Sequence, residues 1–191
     1  VVRAVERDQV ASARVSVAPI VHGSPLTLPD RVRKVANRLR PPLLAVPERE
    51  LGDGLLARAV TVRRLRQALD EAAPGCELHL LGTGNPLSIL LFAICGATSF
   101  DGLEWCQTCA DPESARLLHF QQRELVPALK GQISGGLSYA QATLLHNISF
   151  FSTWTRRVRE ALSNGTATQM LVEHLPTSQG ARVAGILSQP L

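Results

Sequence analysis

At 191 residues, with 45% apolar and 19% charged side chains, the chain has globular composition and enough length for a substantial core, which excludes a disordered protein. No run of about 18 uninterrupted apolar residues occurs, so a membrane span is not expected. The net charge of +4 rests almost wholly on arginine, clustered at Arg63, Arg64 and Arg66 and again at Arg156, Arg157 and Arg159; this permits contact with nucleic acid, although solvated helix faces carry the same charges.

Val15 to Val21 is a β-branched run that ends in His22-Gly23 and reads as a first strand. Val32, Val35, Ala36 and Leu39 then fall at helical spacing, so a helix is predicted over Arg31 to Arg40, with Asp30 as N-cap and Pro41 as its stop. Pro42 to Val46 reads as a second strand, and Pro47 to Gly54 as a turn. A longer helix follows, with Leu55, Ala59, Val62, Leu65 and Leu69 on one face and Pro74-Gly75 at its end. Glu77 to Leu81 reads as a third strand, closed by Gly82-Thr83-Gly84. Pro86 to Ala97, which holds the longest apolar stretch, reads as a buried helix, and Ser99 to Trp105 as a fourth strand. Short apolar strands alternating with helices predict a parallel sheet with helical crossovers. A whole (β/α)8 barrel needs eight such units and typically ~250 residues, so four units make half a barrel.

Beyond Trp105 the pattern changes. Pro112 to Leu129 has room for a helix. Leu137 to Leu162 carries Ala140, Leu144, Ile148, Phe151, Val158 and Leu162 at roughly heptad spacing, with Asn164-Gly165 as the stop. The tail from Pro176 reads as short and loosely held. The expected organisation is therefore a half-barrel over 1–111, a helical segment over 112–175 and a tail over 176–191. The chain opens on Val1, not Met, which suggests that its natural start lies upstream and leaves any targeting signal open. Of four cysteines, Cys95 suits an apolar helix, and Cys106 and Cys109 form a single C-x-x-C, a weak metal or redox signal without a second pair. The set fits a reducing, cytoplasmic compartment better than a disulfide framework.

In parallel barrels, chemistry gathers at the C-terminal ends of strands. His22-Gly23, Glu48, Gly82-Thr83-Gly84 and Asp101 fall there. Asp101, between Phe100 and Gly102, suits a nucleophile or general base, or an aspartate that caps a helix or pairs with arginine. Glu48 suits an acceptor for a ligand's N–H groups or a solvated loop charge. His22 suits a ligand contact or a structural histidine. Gly82 and Gly84 would let backbone approach a ligand closely, but they are too few for a phosphate loop.

Four ordered segments carry a resemblance. Ile20-Val21-His22-Gly23, Leu44-Ala45-Val46-Pro47-Glu48, Leu81-Gly82-Thr83-Gly84-Asn85-Pro86 and Gly96-Ala97-Thr98-Ser99-Phe100-Asp101 resemble successive strand ends of the tRNA-guanine transglycosylase family. That family typically shows I-V-Q-G-G, L-A-V-G-E, G-V-G-T-P and G-V-D-M-F-D in this order. Leu145-His146-Asn147 resembles the L-H-N of its C-terminal helix. The likeness runs from about Val15 to Gly165. It implies the C-terminal half of a (β/α)8 barrel followed by C-terminal helices. Asp101 falls on the family's nucleophilic aspartate and Glu48 on the glutamate that helps read the base. His22 and Gly23 take the place of a base-contacting glutamine and its neighbour. Leu44 and Ala45 fall on the segment whose backbone lines the base pocket, and Gly82 and Gly84 on the glycine turn.

The chain also departs from the pattern. The tRNA enzymes carry a C-x-C-x-x-C zinc site completed by the L-H-N histidine; here only His146 matches, and Cys106 and Cys109 lie in the wrong place. No metal or other cofactor is expected. The form Phe100-Asp101-Gly102-Leu103-Glu104-Trp105 looks more like the branch that inserts 7-deazaguanine bases into DNA. The family's other catalytic aspartate lies in the first half of the barrel, so an upstream half or a partner chain must supply it. The implied activity is exchange of guanine for a 7-deazaguanine base in nucleic acid, DNA before tRNA, through a covalent aspartyl intermediate. The alternative is a non-catalytic subunit that binds nucleic acid or docks on an active barrel.

Overall fold

The computed structural model describes residues 17–130 and 136–188, and the protein is mixed α/β. The start of the first predicted strand, Val15 and Ser16, and the last three residues of the tail lie outside the described residues. The described chain divides into two compact units. The first takes the chain up to Thr83, Cys95–Asp101 and the stretch from Gly185 onward; the second takes Gly84–Ile94 and Gly102–Ala184.

The first unit holds helix α1 (Leu28–Leu39), strand β1 (Leu43–Pro47), a 3-10 turn (Glu48–Glu50), helix α2 (Leu55–Ala72) and strands β2 (Glu77–Leu81) and β3 (Ser99–Phe100). The three strands are parallel and ordered β1-β2-β3, with Leu44 opposite Leu78 and Leu80 opposite Phe100. The predicted first strand contributes one further parallel bridge, Ile20 to Ala45. Strands that are neighbours in the chain are thus neighbours in the sheet, which short crossovers favour. Among the described residues the sheet is open and no barrel closes.

Register partners share a face of a sheet. Leu44, Leu78, Val46 and Leu80 make one face, and all are fully buried. Ile20, Ala45, His79 and Ser99 form a row on the other face, where His79 and Ser99 are only half-buried. α1 begins earlier than predicted, at Leu28 with Thr27 as N-cap, because Pro29 fits the first helical positions. It buries Leu28, Val32 and Ala36 and packs on α2, which buries Ala59, Val62, Leu65 and Leu69. Each such leucine or valine contributes about 1.5–3 kcal/mol by leaving water.

The predicted fourth strand, Ser99 to Trp105, shortens to β3. The last register pair of β2 with β3 is Leu80 and Phe100, followed by one long bond from Asp101 N–H to Leu80 O at 3.4 Å, and Gly82 then turns the chain at φ +81 just past β2. Glu104–Gln107 instead form a short helix, α4, in the second unit.

That unit also holds α3 (Pro86–Ile94), an antiparallel hairpin of β4 (Thr108–Ala110) and β5 (Leu117–His119), two 3-10 turns, α5 (Tyr139–Ser163), α6 (Ala167–Glu173) and most of α7 (Thr177–Ser188). The hairpin and turns replace the helix expected over Pro112 to Leu129. Asp111 N–H donates to Arg116 O at 2.8 Å, Ala115 adopts φ +55, and Cys109, Val126 and Leu129 close a small core of their own.

α5 starts on a capping box: Gln141 N–H donates to Ser138 Oγ, and Ser138 N–H to Gln141 Oε1. It stops where expected, with Gly165 at φ +73. Its buried stripe shares only Val158 with the predicted one. Thr143, Asn147, Phe150, Trp154, Val158 and Ala161 face inward, whereas Ile148 is 54% exposed and Leu162 lies in the open. The indole of Trp154, 1% exposed, donates to Pro86 O at 3.0 Å and stacks on Phe150. Three hydrogen bonds explain why a polar side chain holds the middle of that stripe: Asn147 accepts from Ala110 N–H and donates to the carbonyls of Trp105 and Thr108. The tail is a helix, not a loose end: α7 buries Gly180 and Val183.

Candidate functional site

Glu48, Gly82 and Asp101 sit where parallel strands of the first unit end, and His22 and Gly23 follow the isolated Ile20 bridge. β3 delivers Asp101. Its side chain is 57% exposed, and Gly82 N–H donates to its Oδ1 at 2.6 Å. Its other oxygen, Oδ2, lies 3.8 Å from His79 Nε2. That separation is too long for a hydrogen bond and short enough for an ion pair or a bridging water. His79 Nδ1 in turn meets Ser99 Oγ at 2.8 Å. Gly82 can serve Asp101 because its left-handed backbone swings the N–H toward the neighbouring strand end, a conformation costly for other residues.

β1 delivers Glu48 at the start of its 3-10 turn. Arg58 Nη1 on α2 donates to Glu48 Oε1 at 2.7 Å, and Arg58 Nε donates to Gly52 O. His22 and Gly23 follow the Ile20 bridge. Both are held by Glu50, which sequence reading passed over: His22 Nδ1 lies 2.7 Å from Glu50 Oε1, and Gly23 N–H donates to Oε2 at 2.8 Å. The His22 bond, helped by the Gly23 N–H, pulls the Glu50 carboxyl below its usual range, against a smaller opposing effect of desolvation. Arg31 Nη1 donates to His22 O at 2.8 Å, so the turn is tied from both sides. The signal for Glu50 was its position one turn-step past Glu48.

The structure gathers these residues into two groups along one edge of the sheet. One is Asp101 with Gly82, His79 and Ser99; the other is His22, Gly23 and Glu50 beside the Glu48–Arg58 pair. Adjacent strands lie about 4.8 Å apart, so the ends of β1 and β3 are separated by roughly 10 Å.

Leu44 and Ala45 are placed differently. Both are buried inside β1, and the backbone of Ala45 is spent on the sheet: its N–H donates to Pro19 O and its carbonyl accepts from Val21 N–H, each at 2.9 Å. A strand interior cannot offer the same groups to a ligand. Gly84 belongs to the second unit, where a Cβ on it would overlap the Glu104 carboxylate, and one on Gly102 would press on the Gly84 backbone. Gly84 is thus needed for a close approach within the protein. Thr83 is 1% exposed, and its Oγ1 has no hydrogen-bond partner among the described residues.

Among the described residues, no group of three His, Cys, Asp or Glu side chains converges as a metal site would require. His146 Nε2 is bonded to Ala110 O at 2.7 Å. Cys109 is fully buried in the small core, and Cys106 Sγ contacts Leu103 O. Burial raises the thiols of Cys76 and Cys109 and pushes Cys95 up to about 12, so these three remain neutral and poor nucleophiles at neutral pH.

The two arginine clusters lie on α2 and α5. Arg66 bonds Asp70 and Cys76 O, Arg63 donates to Ile186 O, Arg156 pairs with Glu160, and Arg157 covers the Trp154 ring at 5.7 Å. Arg64 and Arg159 are exposed. A separate cavity of about 290 Å³ in the second unit is lined by His146, Phe150, Trp154 and Arg157 among others, and by none of the strand-end residues. Among the described residues, no helix is long and apolar enough to cross a membrane. No protein-family model matches the chain, and no curated protein matches it either.

Proposed function

We propose that the chain is the C-terminal half of a (β/α)8-barrel transglycosylase that exchanges guanine for a 7-deazaguanine base in nucleic acid, with DNA favoured over tRNA, and that Asp101 is its nucleophile. The observation that carries this reading is the placing of Asp101: a half-exposed carboxylate at the end of a parallel strand, oriented by the N–H of a glycine turn on the next strand. The sequential strand order and the shared edge of Asp101, Glu48 and His22 support it.

In this mechanism an Asp101 oxygen bonds to the sugar C1′ as the C1′–N bond to guanine breaks, and the electron pair leaves with the base. The incoming base then bonds to C1′ and releases the carboxylate. The proton gained by guanine is balanced by the one that the incoming base gives up. The two-step logic is that of a retaining glycosidase, and the target base must first leave its stack. Glu48 and His22 hold the base edge. Exposed arginines such as Arg64 and Arg159 hold phosphates, and such binding weakens steeply with salt. The family's second aspartate comes from an upstream half or a partner chain.

One observation favours a second reading, a non-catalytic subunit that binds nucleic acid or an active barrel. Glu48 is largely buried and already paired with Arg58, and His22, although exposed, is tied through Nδ1 to Glu50. The discriminating experiment uses the full-length protein, DNA or tRNA, and a 7-deazaguanine base, followed by mass spectrometry of the nucleosides. Exchange and a trapped covalent adduct are expected, and Asp101→Asn removes both. Its stability should stay within about 0.5 kcal/mol of the parent, as for a surface substitution, since asparagine still accepts from Gly82. Exchange that persists in Asp101→Asn rules out the nucleophile; no exchange by the parent favours the subunit.

A further inference from the structure

The half-buried face of the sheet carries a polar relay that the proposed mechanism does not use. His79 and Ser99 are register partners on β2 and β3, and Asp101 follows Ser99 by two residues, so all three side chains point to the same side. His79 Nδ1 meets Ser99 Oγ at 2.8 Å, and His79 Nε2 faces Asp101 Oδ2 at 3.8 Å. The opposite oxygen of Asp101 already accepts from Gly82 N–H.

We infer that His79 is the positioning residue for Asp101, presenting Nε2–H to the carboxylate in a tautomer set by the Ser99 hydroxyl. A carboxylate facing Nε2 favours a proton on that nitrogen, and a neutral ring then has a bare Nδ1 that must accept. Ser99 is the hydroxyl within reach, and it donates. The imidazole is only 17% exposed and lies in the sheet row between Ala45 and Ser99, so it cannot swing away without leaving its bond to Ser99. Asp101 is thereby bracketed by two N–H groups: the backbone of Gly82, just past the end of β2, on Oδ1, and the imidazole of His79, within β2, on the Oδ2 side. At 3.8 Å the second contact is within reach of a bridging water or of a small tilt of either group. This fixes the carboxylate plane and leaves its exposed lone pairs directed away from the sheet. His79 touches no substrate in this scheme; it acts only through Asp101.

The inference rests on the reading of Asp101 as nucleophile, and two readouts separate the two claims. The first needs no substrate. Nitrogen-15 spectra of the histidine side chains, with His79 assigned by its loss in His79→Gln, should show the Nε2–H form. The signal should move in Asp101→Asn and lose its single tautomer in Ser99→Ala. An Nδ1–H form, or a signal indifferent to Asp101→Asn, overturns the inference whatever the activity. The second readout is the single-turnover rate of covalent adduct formation by the full-length protein. His79→Phe, which keeps a ring but no donor, should slow it about ten- to a hundredfold, as expected for loss of a hydrogen bond to a charged group, with KM unchanged. His79→Gln places an N–H near the same point and should recover most of the rate. Equal rates in parent and His79→Phe overturn the inference, and so does a loss that glutamine fails to rescue. If the spectra behave as expected but the parent forms no adduct, the positioning pair stands and the transglycosylase reading falls.

Discussion

Asn147 and Asp101 each accept a backbone N–H on a side-chain oxygen, but the two regions that hold them use polar groups in opposite ways. In the second unit Asn147 is fully buried, and its amide bonds Ala110 N–H and the carbonyls of Trp105 and Thr108. In the first unit Asp101 stands half in solvent, with one oxygen tied to Gly82 and the other only approached by His79. A buried polar group with every bond made is part of the scaffold. One held in place with bonding capacity left over, at a strand end, is what the proposed nucleophile requires.

The contrast can be broken most severely at Asn147. Asn147→Ala would strand one N–H and two carbonyls in the interior, so a loss of about 3 kcal/mol is expected, read as a lower denaturant midpoint. A change no larger than that of Asp101→Asn would mean that Asn147 is not structural. Next in size is Thr83, whose buried hydroxyl lacks a partner. Thr83→Val keeps the shape and removes the unpaired oxygen, and should stabilise by about 1 kcal/mol in the same assay. Destabilisation would show that the hydroxyl has a partner in solution.

The smallest effect belongs to Glu50. Its carboxyl is depressed by His22 and Gly23, so the stability it contributes is fully present above the ordinary carboxylate value of 4.5 and lost as pH falls through its lower folded value. Melting temperature should therefore drop on acidification below the ordinary range, and Glu50→Gln should flatten that part of the curve. A parent and variant with parallel curves would remove the Glu50–His22 bond from the folded state.

Legibility in the sequence followed the kind of contact that decides each element. β1, β2 and α2 were readable because their apolar residues repeat at the strand or helix period and proline or glycine marks their ends. The stop of α5 was readable for the same reason. Its inward face was not: a heptad count favours Ile148 over Asn147, and only the hairpin's unpaired backbone groups make asparagine the better interior residue. The hairpin itself has three-residue strands, too short for any period to register. At the site, Asp101, Glu48 and His22 were found as strand-end polar residues. Glu50 and His79 were missed because their roles come from a partner: His22 lies 28 positions from Glu50, and Ser99 lies 20 from His79.

The chain passes between its two units at Thr83–Gly84, Ile94–Cys95, Asp101–Gly102 and Ala184–Gly185. No single cut can therefore release either as an intact fragment. During synthesis the sheet-bearing unit waits for the end of α7: the Arg63 guanidinium meets the Ile186 carbonyl only 123 residues later. Pairings this distant in sequence slow folding and prolong the exposure of unfinished surfaces. Truncation within the last helix should accordingly be felt first in the unit that was made first.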